Sequence, residues 1–269
     1  MKYSKATVVR LVALGISAST FVTAVRAESD SAAEHSRNAI ELAKKKDYAG
    51  AAEEFTKAVE AEPSDAKNYT NRGRAYRAAG KLAEAEADFT KVIEMNEDDA
   101  DAYSERGKVK VSAKNWDGAI EDLNKAVELD EDDVDTYRFR AFAYLSKGDL
   151  DKAIEDYSSV LKKKDDDAAA LERRAFAYRS LKKYDEAIDD LTKIIDDKPK
   201  DPEAYRARGY TYSLAGNNEK AEADYKMVLK LKPGDADAET GLKAVQAKLG
   251  AGKGGDKAAP SPAASPAAP

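Results

Sequence analysis

One 34-residue repeat is written six times in succession from Ala32 to Asp235, with no insertion or deletion between copies. Aspartate closes every copy, as Asp65, Asp99, Asp133, Asp167, Asp201 and Asp235, and alanine recurs midway, as Ala51, Ala85, Ala119, Ala153, Ala187 and Ala221. A strict period of this length marks an array in which each repeat buries its apolar face against its neighbours. The repeats are residues 32–65, 66–99, 100–133, 134–167, 168–201 and 202–235.

Each repeat predicts a helical hairpin. In the fifth, Leu171, Ala175 and Tyr178, and then Tyr184, Ala187, Ile188, Leu191, Ile194 and Ile195, have the spacing of two amphipathic helices. The break near Lys182 coincides in alternate repeats with Gly80, Gly148 and Gly216, and glycine readily takes the left-handed conformation that ends a helix. Each closing Asp is placed to cap the next helix, and Pro202 suits a first helical turn. Small residues at Ala39, Gly73, Gly107, Ala141, Ala175 and Gly209 predict close crossing opposite the repeated alanines. Recurrent Tyr and Phe supply the larger packing residues.

The order of large residue, small residue, Tyr, Ala, aromatic, Ala or Val, and Pro resembles the tetratricopeptide repeat family. In the second repeat the motif falls on Tyr69, Gly73, Tyr76, Ala85, Phe89 and Val92. Lys110 stands where the family has Tyr, Asn218 where it has Tyr or Leu, and Glu97, Glu131 and Asp165 replace the late proline kept at Pro63, Pro199 and Pro233. The resemblance implies a right-handed α-solenoid with a concave groove lined mainly by the first helix of each hairpin, and a protein-binding scaffold as its function. The family's clamp for acidic chaperone tails uses Lys and Asn at places held here by Ser36, Ile40, Asn71, Asp101 and Glu105. Only Asn71 matches, which argues against that ligand.

Outside the array, Lys2, Lys5 and Arg10 precede a mostly apolar run, Leu11 to Val25, and residues 1–27 read as a secretory signal followed by a short lead-in at 28–31. Cleavage after Ala27, cleavage after Ala24 and retention as an anchor are the three alternatives. The expected location is therefore exported, periplasmic first, with secretion or signal anchoring as alternatives. Loss of residues 1–27 removes four basic and no acidic residues, moving the formal charge from −6 to −10. So acidic a chain disfavours nucleic acid and, beyond the signal, anionic membrane surfaces as partners. Residues 236–249 predict a capping helix, and the Ala/Pro/Gly-rich 250–269 a disordered tail.

Nothing in the sequence calls for a cofactor, a metal or catalytic residues. There is one histidine, His35, no cysteine and no phosphate-binding glycine loop, and the acidic runs at Asp130–Asp133 and Asp165–Asp167 lack the Gly and distal Glu of a calcium loop. Arg72, Arg106, Arg140, Arg174 and Arg208 recur in step with Asp88, Asp122, Asp156, Asp190 and Asp224, whereas the first repeat has Asn38 and Glu54. These predict a structural ladder of ion pairs, either within a hairpin or to the preceding one.

First-helix positions facing away from the hairpin partner define the candidate groove. In repeats one to three they are Arg37, Lys44, Lys67, Arg74, Arg77 and Lys108, against Asp101 and Glu105. In repeats four to six they are Arg138, Phe139, Phe142, Leu145, Arg173, Phe176, Arg179, Arg206 and Tyr210, against Asp135, Glu172 and Glu203. One offset reads Ile40, Arg74, Lys108, Phe142, Phe176, Tyr210, and solvent-facing phenylalanines at that spacing point to binding. The expected activity is a non-catalytic scaffold of the cell envelope that binds a protein segment of acidic and aromatic or aliphatic character. The alternative is an assembly factor for polysaccharide or peptidoglycan machinery, with the aromatics stacking on sugars.

Overall fold

The computed structural model describes residues 18–254, with side chains from 30 to 251. The described elements are α-helices: α1 (Ala18–Lys44), α2 (Tyr48–Ala61), α3 (Ala66–Ala78), α4 (Leu82–Met95), α5 (Ala100–Ser112), α6 (Trp116–Leu129), α7 (Val134–Lys147), α8 (Leu150–Lys163), α9 (Ala168–Ser180), α10 (Tyr184–Asp197), α11 (Pro202–Leu214), α12 (Asn218–Leu231) and α13 (Ala236–Gly254). The first part of the expected apolar run, residues 11–17, lies outside the described residues, as does most of the expected tail. Among the described helices none is long and apolar enough to cross a membrane. Helix α1 starts well before the first repeat, and α13 runs five residues past Leu249, since Gly250–Gly254 holds no proline to stop it.

The chain divides into two compact units after Ala143. In the N-terminal unit α1 to α6 pack consecutively as hairpins, each second helix also meeting the next first helix. In the C-terminal unit the same order runs from α8 to α13. The fold class is thus the all-α, hairpin-stacking solenoid that the period predicts.

Local chemistry explains the regularity. All six closing aspartates accept backbone hydrogen bonds at the start of the following helix, from Lys67, Ala102, Asp135, Ala170, Glu203 and Ala238 at 2.9–3.0 Å. At the other end of each first helix one residue is left-handed: Lys46, Gly80, Lys114, Gly148, Lys182 and Gly216, with φ between 59° and 87°. The next amide then reaches back to the carbonyl five residues earlier, as Lys81 to Tyr76 at 2.8 Å and Lys183 to Tyr178 at 2.9 Å. Lysine therefore adopts the conformation that glycine takes at the same offset in alternate repeats.

The small first-helix residues meet a large neighbour more closely than they meet the repeated alanines. A Cβ on Gly73 would lie 3.0 Å from the Phe89 ring, and one on Gly107 only 2.6 Å from Leu123 Cγ. Phe89, Leu123 and Tyr157 are fully buried and the repeated alanines are wholly inaccessible, so the hairpin core is built from one bulky residue set between two small ones.

The arginine ladder runs within the hairpin for the carboxylate and to the preceding hairpin for a second acceptor. Arg72, Arg106, Arg174 and Arg208 each grip their own Asp with two hydrogen bonds of 2.7–2.9 Å. Their remaining Nη1 donates backwards to Thr56, Thr90, Ser158 and Thr192, at 2.8–3.5 Å, and Arg140 donates likewise to Asn124 at 3.0 Å. This explains Asn38, whose helix has no preceding hairpin to reach among the described residues. There His35 Nδ1 lies 2.8 Å from Glu54 Oε2 instead, so His35 makes a hydrogen-bond contact as well as packing. Tyrosines flank the guanidinium, as Tyr69 and Tyr76 do Arg72 at 5.4 and 5.8 Å. Where Lys110 replaces tyrosine, its Nζ joins Asp122 at 2.8 Å.

Candidate partner-binding face

In the N-terminal unit three of the six expected basic residues are held by a single carboxylate. Glu105 is 7% exposed, and Arg74, Arg77 and Lys108 converge on it at 3.3, 3.2 and 3.5 Å. Lys108 Nζ also sits 5.6 Å over the Phe139 ring. One buried acid against three bases leaves an excess of positive charge, but oriented by the protein itself and not loosely displayed. Lys44 pairs with Glu41 at 2.7 Å, while Arg37 and Lys67 are exposed. A cleft of about 390 Å³ beside them is lined by Ile40, Tyr48, Phe55, Asn71 and Arg74 among others, and Ile40 is 43% exposed.

Phe142 does not stand free in solvent as its offset predicts. Trp116 packs edge-on against it at 6.0 Å and 83°, and Phe139 and Phe142 both lie on the cluster of Val111, Ala119, Leu123 and Ala143. The physical reason is the size of Trp116, which opens α6 where other second helices open with Tyr, Leu or Asn.

The C-terminal unit carries the better-formed site. Phe176 and Tyr210 are 48% and 50% exposed, and the guanidinium of Arg179 lies between them, 5.5 and 5.4 Å from their ring centres. Among the described residues Arg179 has no carboxylate within ion-pair distance. Burial pushes its pKa below the usual arginine value, with Tyr210 and Glu172 acting weakly the other way. An arginine that is partly desolvated and stacked on rings, with no carboxylate in direct contact, is a ready receptor for one.

Arg179 and Tyr210, but not Phe176, line an open cleft of about 470 Å³ formed by α9, α11, α12 and α13, together with Glu172, Glu203, Arg206, Tyr225, Asp237, Thr240 and Gly241. Arg206 does not serve as a free cation there, because Glu203 and Asp237 both bind it, the latter at 2.6 Å. Arg138 is similarly engaged by Asp135, and Arg173 is exposed on α9. Asp237, Thr240 and Gly241 escape sequence reasoning, which gives the capping helix only a covering role. Gly241 is the available signal: a Cβ there would lie 2.4 Å from Tyr225 Cζ, so glycine is needed to admit the ring that floors the cleft. Burial, then Tyr210 and Asp224, raises the pKa of Tyr225. Among the described residues no cluster of three or more potential ligands could hold a metal ion.

An all-α array of capped hairpins with an exposed aromatic and arginine cleft on its first-helix face is the architecture of a helical-repeat interaction protein. The sequence profile of the tetratricopeptide repeat family matches residues 70–134, 140–202 and 177–236, more than half of the chain, and the chain belongs to that family. No curated protein is significantly similar in sequence. Among solved structures, YrrB, a tetratricopeptide repeat protein described as having an unusual peptide-binding site, is 23% identical over 71% of this chain and 99% of its own, with a TM-score of 0.64. MamA is 24% identical over 64% of this chain and 93% of its own, at a TM-score of 0.60. A tetratricopeptide repeat protein from Parabacteroides merdae is 20% identical over 80% and 84%, at 0.55. The fold is that of a protein–protein interaction scaffold, in a family whose members are generally non-catalytic.

Proposed function

We propose that this chain is a non-catalytic scaffold that holds a segment of a partner protein against its first-helix faces, and that it does so outside the cytoplasm, in the periplasm or cell envelope. The observation that carries the binding reading is Arg179, which lies in an open cleft against the half-exposed rings of Phe176 and Tyr210 and has no carboxylate within ion-pair distance among the described residues. A protein segment bearing a carboxylate and an apolar side chain satisfies both features at once. YrrB, of similar fold, is itself a peptide binder. The guanidinium already covers one face of each ring, which favours such a segment over a stacked sugar, so polysaccharide handling ranks second. The export reading rests on the basic and apolar leader before Ala27.

The test is recovery of a partner from a cell-envelope extract on the immobilised chain, beside a Phe176→Ala/Tyr210→Ala variant. A protein retained by the parent and lost from the variant supports the reading, because a hot-spot aromatic typically contributes about 2 kcal/mol or more. Wall polysaccharide recovered in its place supports the second reading. N-terminal sequencing of the native chain checks export: a start at Val25 or Glu28 agrees, and a chain beginning at Met1 in the cytosol contradicts it.

A further inference from the structure

Tyr225 brings to the lining of the C-terminal cleft a hydroxyl that the hairpin core does not require. The same offset holds Phe55, Phe89, Leu123, Tyr157 and Leu191 in the earlier repeats, and all five are buried, so a side chain without a hydroxyl fills the place. Tyr225 is itself only 4% exposed. Its ring is held by Gly209 on α11 and Gly241 on α13, where Cβ atoms would lie 3.4 and 2.4 Å from it. Among the described residues its hydroxyl has no hydrogen-bond partner, and, unlike Arg77 Nε and Asn218 Oδ1, it is not sealed from solvent. A nearly buried donor of this kind is satisfied only by what enters the cleft. Burial raises its pKa, so the phenol keeps its proton and can donate it at neutral pH.

The other polar groups of the cleft already have partners or act on one another. Glu203 and Asp237 bind Arg206, the Thr240 hydroxyl donates to the Ala236 carbonyl at 2.8 Å, and Glu172 acts electrostatically on Arg179. Arg179 lines the cleft, whereas Phe176, the half-exposed ring against it, stands outside the lining. Donors thus lie inside and an apolar ring lies outside. We infer that Tyr225 is a specificity-determining residue of the cleft, donating its hydroxyl proton to an oxygen acceptor of the docked segment, a side-chain carboxylate or a backbone carbonyl, while an apolar side chain of the segment rests outside on Phe176. This rests on the proposed docking of a protein segment and adds which group enters the cleft and what receives it.

The probe is a peptide selected from a random dodecapeptide phage library on the purified full-length chain and lost on the Phe176→Ala/Tyr210→Ala variant. Its affinity is measured by fluorescence anisotropy. Tyr225→Phe should weaken it about fivefold or more, the net contribution of a typical hydrogen bond, and leave thermal unfolding followed by circular dichroism unchanged. Tyr157→Phe removes a hydroxyl at the same offset outside the cleft and should bind as the parent does. Alanine in place of the peptide's acidic residues separates the two acceptors: a Tyr225→Phe effect that disappears assigns the carboxylate, and one that persists assigns a backbone carbonyl. Equal affinity of the parent and Tyr225→Phe overturns the inference while leaving peptide docking in place. Earlier unfolding of Tyr225→Phe also overturns it, since the hydroxyl then serves the core. A library that yields no such peptide overturns the docking reading, and this inference with it.

Discussion

Removal of Arg174 should cost far more at neutral pH than removal of the whole ion pair. Asp190 is 2% exposed and takes hydrogen bonds of 2.9 and 2.7 Å from Arg174, whose third donor reaches Ser158 at 2.8 Å. Arg174→Met keeps the aliphatic stem and strands the carboxylate, a change that typically costs about 3–5 kcal/mol. Proton uptake sets a ceiling on that penalty. For an aspartate with a reference pKa near 3.9, taking up a proton costs about 4 kcal/mol at pH 7 and about 1.5 kcal/mol at pH 5, at 1.36 kcal/mol per unit. The expected destabilisation is therefore about 3–4 kcal/mol at pH 7, falling to about 1.5 kcal/mol at pH 5. The double variant Arg174→Met/Asp190→Leu leaves no buried charge and should return to within about 1–2 kcal/mol of the parent. An array of repeats need not unfold in one step, so the assay is hydrogen exchange resolved by peptide, with losses concentrated in α8 to α11. A penalty independent of pH, or a double variant as unstable as the single one, would refute the reasoning.

Other perturbations test separate parts of the account. Lys114→Gly and Lys182→Gly relieve left-handed lysines with φ of 59° and 60° and should each stabilise by up to about 1 kcal/mol in urea unfolding, whereas Gly148→Ala, at φ 87°, should destabilise. Gly107→Ala puts a methyl 2.6 Å from Leu123 Cγ and should cost about 1–3 kcal/mol by overpacking, more than Gly209→Ala, whose nearest neighbour is 3.2 Å away. Hydrogen bonds hold two carboxylates below their usual range: that from Lys57, then His35, acts on Glu54, and those from the Ala238 amide, then Lys232, act on Asp235. Asp133 is also lowered, since hydrogen bonds from Thr136 and the Asp135 amide outweigh the opposing effect of burial. Folded-state values below the unfolded ones mean that this stability is complete above about pH 5 and is lost as the pH falls through the lowered values. An acid titration of helicity should show it, and stability unchanged from pH 6 to pH 2 would contradict it.

Much of the fold was legible because its determinants are local and repeat in step. Asp caps, helix breaks and the Arg–Asp ladder all follow from neighbours fixed by the period. What the period hides is the second acceptor of the ladder. Thr56, Thr90, Asn124, Ser158 and Thr192 stand two residues after each acidic position, and the sixth repeat has Lys226, with no further ladder arginine to serve. That pattern was visible but not connected to the arginines, since the link crosses from one hairpin to the next. The candidate face was less legible for a related reason. A shared offset fixes where a side chain starts, not what covers it: Trp116 claims Phe142, Glu105 gathers three bases, and Glu203 with Asp237 neutralises Arg206. Phe176, Arg179 and Tyr210 were identifiable, while the contribution of α13 was not.

Site-specific photo-crosslinking measures the central claim most directly. A benzoylphenylalanine replacing Tyr210, which is 50% exposed in the cleft, should capture a partner protein in living cells. The same probe replacing Asp189, exposed on the second helix α10, should capture none. Adducts from Asp189 with none from Tyr210 would place binding on the outer helices and contradict the account.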